Sequence, residues 1–348
     1  MKIRSTIGFF AVLIVIGLLI MPVISNSNAQ AADKVIKWRM QVLWDAGTTP
    51  YEIEKTFVDR VKELTNGRME IKIFAPGSLV PTNQMLDAIQ KGMFEMTKQY
   101  EGYDIGRLPH AAFTSALPCG FTNTWQLDTW FWARGGIDMM RDEYKKMGVY
   151  YLAPTIYDEE PIHSKTPMKS IDDMKGKKGR FVGAAGKFMN KLGARVTPMA
   201  TAEVYSALEK GVIDFADRGG LPANYDVGLY EVAKYIILPG IHQPVTATYY
   251  AANLKAWNKL PKDIQAILEC AAREAAADLF QLNKTMSMEA LKKFKEKGVE
   301  VIYLPEADTM KARKVAMEVW EEYANKSPFA RKVFDSQKAW MKELGLLD

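Results

Sequence analysis

The sequence predicts an α/β protein of two similar lobes facing one cleft. Three observations point there. The chain has 348 residues and is 48% hydrophobic, enough for two domains with substantial cores. A strand pattern at Lys34–Leu43, a helical pattern at 51–64 and an alternating strand at Met69–Phe74 follow one another with short connections. That order is a βαβ unit and implies a parallel sheet covered by helices. Finally, Thr82-Asn-Gln-Met-Leu-Asp-Ala88-Ile-Gln-Lys91-Gly92 lines up with Thr201-Ala-Glu-Val-Tyr-Ser-Ala207-Leu-Glu-Lys210-Gly211. Each is a helix stopped by Lys-Gly before a short apolar segment, so each half of the chain is expected to bring a helix-Gly-strand unit to the cleft.

In the first strand Val35, Ile36, Trp38, Met40 and Val42 supply β-prone or apolar side chains. Tyr51, Ile53, Phe57, Val58, Val61 and Leu64 then recur at helical spacing, and Asn66-Gly67 closes that helix. Asp128 to Lys146 reads as one helix and Gly148–Leu152 as a strand. Leu152 to Pro161 is the expected crossing into the second lobe. Pro261 to Lys297 is a long helical pattern, with Pro261 suited to the first turn and Gly298 to the stop. About 37 residues rising ~1.5 Å each would reach roughly 55 Å. One small lobe is shorter than that, so this helix must bend, break or brace both lobes. Val299–Leu304 is a further strand, and helices from about Glu306 and Pro328 end the chain.

The composition excludes several classes. Lys and Arg number 46 against 41 Asp and Glu, and Lys2 and Arg4 belong to the N-terminal address described next. The remaining excess is too small and scattered for a nucleic-acid binder. Two Cys rule out a disulfide-dense scaffold and a Cys-based zinc ribbon. Cys119 and Cys270 are read as separate buried thiols, although their spacing leaves pairing open. Met1 to Arg4 is a basic start, Ile7 to Ile24 an uncharged apolar run, and Ala29-Gln30-Ala31 a small-x-small site. That order is a secretory signal peptide over 1–31. The run also reaches the lower length of an uncleaved anchor, but Pro22 and the polar Ser25–Asn28 stretch favour cleavage. The mature protein is therefore expected outside the inner membrane, in the periplasm.

The usual catalytic signatures are missing: there is no G-x-S-x-G, H-E-x-x-H, G-x-x-x-x-G-K-[ST], C-x-x-C or strand-borne G-x-G-x-x-G. His110, His163 and His242 share no ligand spacing and read as packed or hydrogen-bonded. Three features carry chemistry instead. Gly176-Lys-Lys-Gly-Arg180-Phe-Val-Gly183 ends a strand in small residues that let a ligand approach the backbone; Arg180 there either offers a planar fork to a carboxylate or, with Lys175, Lys177 and Lys178 as neighbours, is a surface residue of a basic turn. Gly211-Val-Ile-Asp-Phe-Ala-Asp217-Arg218-Gly-Gly220 places an acid where open α/β sheets hold ligands. Tyr157-Asp158-Glu159-Glu160-Pro161 is an acidic cluster in the crossing segment. Asp217 and Asp158 are candidates to converge on one cation, since loop oxygens suit Ca²⁺.

Trp44-Asp45-Ala46-Gly47, Phe57–Gly67, Met85–Gly92, Gly176-Lys-Lys-Gly-Arg180 and Glu203–Asp214 together resemble the periplasmic solute-binding subunits of tripartite ATP-independent periplasmic (TRAP) transporters, the DctP-like family, over about residues 34–348. Ile162-His-Ser-Lys165, Val232–Ile237 and Ile241-His-Gln-Pro244 are most similar to its 2-oxo acid and lactate-binding branch. The resemblance implies a type II-like periplasmic binding fold with a long helix spanning both lobes. Lobe 1 would cover 32–153, completed by about 243–285. Lobe 2 would cover 154–242, completed by about 286–348.

It also implies that Arg180 clamps the ligand carboxylate, and that a metal ion bridges ligand and protein. Asp217, the backbone carbonyl of Arg218, and Asp158 or Glu160 would hold that ion. Trp44, Tyr100, Tyr103 and Tyr157 would line the pocket. The expected ligand is a small organic acid such as pyruvate or lactate, handed to a membrane permease by a monomer or homodimer that is not an enzyme. The chain departs from the branch at Arg218, where an aromatic residue is usual, and in the acidity of 158–160. An inward Arg218 gripping a longer or dicarboxylate ligand without metal is the first alternative. A secreted metal-dependent enzyme using Asp158 and Asp217 is the second.

Overall fold

The computed structural model describes residues 34–347, so the expected signal peptide at 1–31 lies outside the described residues. Strands β1 (Ile36–Val42), β2 (Met69–Phe74), β3 (Met96–Gln99), β4 (Val149–Asp158) and β10 (Val245–Asn253) form one five-stranded sheet in the order β2-β1-β3-β10-β4. Strands β5 (Ile162–Ser164), β6 (Lys178–Arg180), β7 (Arg195–Val196), β8 (Phe215–Ala216), β9 (Tyr235–Leu238) and β11 (Glu300–Tyr303) form a second sheet in the order β11-β9-β5-β8-β6-β7. The first βαβ unit is present: β1 and β2 pair in parallel from Ile36 opposite Met69. The helix between them, Thr49–Leu64, buries Ile53, Phe57 and Val61 and ends in left-handed Asn66 and Gly67.

The matched segments at 82–92 and 201–211 share a conformation. Each opens with a 3₁₀ turn, Thr82–Gln84 or Thr201–Glu203. Each continues as a six-residue helix, Met85–Gln90 or Val204–Glu209, and stops at a glycine with φ near +70°. Each then feeds a parallel strand, β3 or β8, whose C-terminal end opens toward the same cleft.

Two expected elements differ. Asp128–Lys146 is not one helix but two, Thr124–Ala133 and Gly136–Lys146, because Gly135 takes φ 80° between them. The strand expected at Gly148–Leu152 runs on to Asp158, despite Pro154. Proline is tolerated because β4 is the edge strand and bonds on one side only, to β10. The first sheet therefore continues past residue 153, and the chain changes sheet at 159–161.

A second crossing runs through 239–244, between β9 and β10, and the two crossings are tied together. Glu160 N donates to Gln243 O at 3.0 Å, and Gly240 N donates to Glu159 Oε2 at 2.5 Å. A side chain at 240 would collide with the Glu160 carbonyl, so this close approach requires glycine.

The long helix, Lys262–Glu296, has 35 residues and spans about 52 Å. Ile264, Leu268 and Ala272 belong to the larger hydrophobic core, while Ala290 and Phe294 belong to the smaller core under the second sheet. It therefore braces both lobes. β11 completes the second sheet, but the last two helices, Glu306–Ala324 and Pro328–Glu343, also fasten onto residues 113–126. Trp320 Nε1 donates to Pro118 O, Gln337 Nε2 to Phe113 O and Trp340 Nε1 to Gln126 O, at 2.8–3.0 Å. Among the described residues no helix is long and apolar enough to cross a membrane.

Candidate functional site

The parallel strands of both sheets end at one cleft, where the open edge of an α/β sheet receives ligands. β1 delivers Leu43, Trp44 and Asp45, and β3 delivers Tyr100 and Tyr103. β6 ends in Arg180, and β8 leads into Asp217 and Arg218. The two crossings add Tyr157, Glu160 and Gln243. Trp44, the three tyrosines, Glu160, Arg180, Asp217, Arg218 and Gln243 line one cavity of about 20 Å³, together with Leu43, Val182 and Thr201. That volume admits roughly one water molecule, so the lobes are drawn together. Direct contacts hold them: Tyr103 Oη and Thr201 Oγ1 lie 2.6 Å apart and Thr49 N donates to Asp226 Oδ2 at 2.8 Å, while Tyr100 Oη donates to Gln243 Oε1 on the crossing at 2.5 Å.

Arg180 is 3% exposed. Its Nη1 donates to Asp217 Oδ1 at 2.7 Å and to the Asp217 carbonyl at 3.2 Å. Its Nε and Nη2 donate to Met199 O at 3.1 and 2.8 Å. Four of its five N–H groups are thus engaged. The expected open fork toward a ligand is not free, because Asp217 and Met199 already occupy it; one N–H of Nη2 remains.

Burial pushes the Asp217 carboxyl up to about 6 against the pull of Arg180. Burial, reinforced by repulsion from Asp217, pushes Glu160 up to about 8. Tyr157 Oη donates to Glu160 Oε1 at 2.5 Å. His242 is driven down to about 3, first by burial and then by the Arg180 charge, so it is neutral. Both its ring nitrogens are buried without a hydrogen-bond partner, and Nε2 lies 3.6 Å from Asp217 Oδ2.

One donor atom from each of Glu160, Asp217 and His242 falls within 4.8 Å of the other two. Two carboxyls with raised affinity for a proton beside an unpartnered imidazole fit a cation, and the oxygens suit Ca²⁺. Such an ion supplies positive charge to both carboxylates and to a bound anion. Glu160, Asp217 and His242 are the groups of this chain placed to hold it.

Asp158 is a correction. It is absent from the cavity lining and faces Lys284 at 3.6 Å on the other side of the crossing, because β4 keeps its strand alternation through Tyr157 and Asp158 and sends the two side chains to opposite faces. Glu160, two residues beyond Asp158, takes the inward place. The paired-acid enzyme reading built on Asp158 and Asp217 loses its first member.

Arg218 lines the cavity, but its Nη2 donates to Asp45 Oδ2. Trp44 packs edge-on to Tyr157, with ring centroids 5.9 Å apart, and its Nε1 is a buried donor with no acceptor. Of the other histidines, His110 Nε2 lies 3.1 Å from Glu101 Oε1 and His163 Nε2 3.0 Å from Asn224 Nδ2, so both are packed and hydrogen-bonded as expected. Cys119 and Cys270 are separate thiols, Cys270 being exposed rather than buried.

Sequence reasoning passed over His242, Gln243 and Asp45. His242 and Gln243 sit in Ile241-His-Gln-Pro244 on the second crossing, and nothing local reveals that this crossing lies against 159–161.

The model of bacterial extracellular solute-binding protein family 7, DctP, matches residues 41–327. This chain belongs to the DctP family. It is 32% identical over 321 residues to the monocarboxylate 2-oxoacid-binding periplasmic protein of Nostoc sp., covering 92% of this chain and 88% of that one. A TRAP transporter solute-binding protein from Bordetella bronchiseptica superposes with a TM-score of 0.84 at 27% identity, over 89% of this chain and 93% of that one. It is a mixed-occupancy dimer with copurified calcium and picolinate at one active site. A TRAP periplasmic solute-binding protein from Colwellia psychrerythraea, with bound calcium and pyruvate, gives 0.81 at 26% identity, over 90% and 96% of the two chains. The two-lobed α/β architecture and the bracing helix of this DctP protein are thus those of TRAP solute-binding proteins.

The turn carrying Tyr100 and Tyr103 sets one wall of the cleft. A Cβ at Gly102 would lie inside van der Waals contact of the Tyr100 ring. Gly102→Ala is therefore expected to push that ring off Gln243 and weaken ligand binding at least tenfold, with a smaller effect on the Tm of the empty protein. Calorimetric titration of the variant checks it, and wild-type affinity would free the wall of this constraint.

Proposed function

We propose that this protein is the periplasmic receptor of a TRAP transporter that captures a small 2-oxo or 2-hydroxy monocarboxylate, bridged by a divalent cation, and delivers it to membrane permease subunits. One observation carries the reading: Arg180, Asp217 and Glu160 form a buried cluster of ionisable groups where the two lobes meet. Arg180 gives the ligand carboxylate its one remaining N–H. The Trp44 indole N–H is a second donor for a carboxylate or keto oxygen. Tyr100 and Gln243 orient Asp217 through Gln243 Nε2, 3.2 Å from Asp217 Oδ2.

The Nostoc relative and the pyruvate- and picolinate-bound neighbours support a 2-carbonyl or 2-heteroatom carboxylate that chelates the ion. Residues 1–31 are the export signal in this reading, cleaved near Ala31, and the mature chain acts as a monomer or homodimer without nucleic acid. The lobe assignment of 32–153 and 154–242 enters as the hinge-bending frame, with the change of sheet at 159–161.

Closure must reverse for delivery, so affinity near micromolar, about −8 kcal/mol, is the expected scale. The test is a thermal-shift and calorimetric screen of pyruvate, lactate and matched dicarboxylates with and without Ca²⁺, with recovery of the ligand afterwards. A monocarboxylate that stabilises the protein only with Ca²⁺ and returns unaltered is the expected result. Turnover, or indifference to every small carboxylate, would overturn the reading.

A further inference from the structure

The cleft holds a second guanidinium that the proposed monocarboxylate does not need. Arg218 lines the cavity with a side chain 4% exposed, on the lobe of the second sheet. Its Nη2 donates to Asp45 Oδ2, and its Nη1 donates to Ala223 O at 3.4 Å. Asp45 comes from the opposite lobe, just after β1. Its carbonyl accepts from Thr48 N at 3.1 Å and from Thr48 Oγ1 at 2.7 Å, so a tight turn presents the carboxylate to Arg218. The Asp45 side chain is 31% exposed, whereas Arg218 is enclosed.

We propose that Asp45 is the charge-selectivity residue of this cleft: by engaging Arg218 across the lobes, it restricts the site to monoanions. The inference rests on the proposed function and deepens it. With a divalent cation and a monocarboxylate bound, four positive charges face four negative ones. Arg180, Arg218 and the ion oppose Asp217, Glu160, Asp45 and the ligand. A dianion leaves one negative charge unmatched in a nearly dry cavity, where such an imbalance is poorly screened. Removing the Asp45 charge reverses the preference, since the freed guanidinium then matches a second carboxylate, which an Arg fork suits.

The test compares 2-oxopentanoate with 2-oxoglutarate, which have the same chain length and differ by the second carboxylate, at saturating Ca²⁺. Calorimetry gives the ratio of their dissociation constants, so a uniform loss of affinity from a looser closure cancels. In Asp45→Asn the ratio is expected to move at least tenfold toward 2-oxoglutarate, and Asp45→Ser serves if Asn folds poorly. In Asp45→Asn combined with Arg218→Gln the ratio returns toward wild type. An unchanged ratio in both single variants overturns the proposal.

Wild-type protein that binds neither acid would instead defeat the functional reading. The selectivity inference is then read from the variant alone: uptake of 2-oxoglutarate by Asp45→Asn supports it, and uptake of neither acid overturns it.

Discussion

Arg180→Met is expected to lose at least 100-fold in affinity for the carboxylate ligand and to melt at a lower temperature than wild type even when empty. The first effect follows from the lost charge-assisted hydrogen bond and lost ion balance, about 3 kcal/mol together. The second follows from burial. The structure pairs Arg180 with Asp217 at 2.7 Å in a fully enclosed site.

Removing one member of a buried pair strands the other, typically at 3–5 kcal/mol. Asp217 can escape part of that cost by taking a proton, since its carboxyl already sits near 6. Arg180→Met combined with Asp217→Asn should therefore regain most of the lost Tm without regaining binding. Calorimetry and thermal melts on the two singles and the double close the cycle. Affinity within threefold of wild type in Arg180→Met would remove this residue from the ligand contact.

The second large effect concerns the ion. At pH 7 Glu160, raised to about 8, is mostly protonated, while Asp217 at about 6 is mostly ionised. Ca²⁺ uptake should thus release close to one proton, read as a dependence of the calorimetric heat on buffer ionisation enthalpy. Glu160→Gln should abolish that release and weaken Ca²⁺-dependent ligand binding at least 100-fold, as chelation should in the wild type.

The same groups set the pH dependence of the ion-free protein. Their folded values lie above their ordinary ones, so their contribution to stability is complete at low pH and is lost as pH rises through the folded values. His163 and His242, driven down to about 3 by burial, act in the opposite direction, but only below the ordinary value of 6.5. From pH 6.5 through about 8, Glu160 therefore dominates among these groups. The ion-free Tm should fall over that window, and Ca²⁺ should flatten the decline. A flat ion-free curve would separate Glu160 from the buried cluster.

Much of this was legible in the chain because it is local chemistry. Apolar spacing located the βαβ unit, the long helix and the paired helix-Gly-strand segments, since backbone hydrogen bonding imposes those periods wherever the segment folds. Arg180 and Asp217 could be named because strand ends followed by small residues are where parallel sheets open, whereas the four aromatic residues came only from the family resemblance.

Of the two acids named on the crossing, Glu160 rather than Asp158 lines the cavity, for a reason no local pattern carries. β4 keeps its alternation to Asp158, so which acid turns inward depends on where the sheet lets go of the chain. The split at Gly135 was similarly hidden, because two helices with one apolar face each look continuous when read in one dimension.

By itself the sequence determined the element types, the existence of two halves and the kind of groups that meet an acid, all of which depend on residue type and on neighbours within a few positions. Only the tertiary structure decided which groups share the cavity and which are already engaged. Arg180 is held by Asp217 and Met199, Arg218 by Asp45 from the other lobe, and the ring nitrogens of His242 are left without a hydrogen-bond partner beside two acids. Those facts come from segments that meet across the fold, 173 positions apart in the case of Asp45 and Arg218. Coulomb energy and desolvation depend on distance through space, which the order of residues along the chain does not encode.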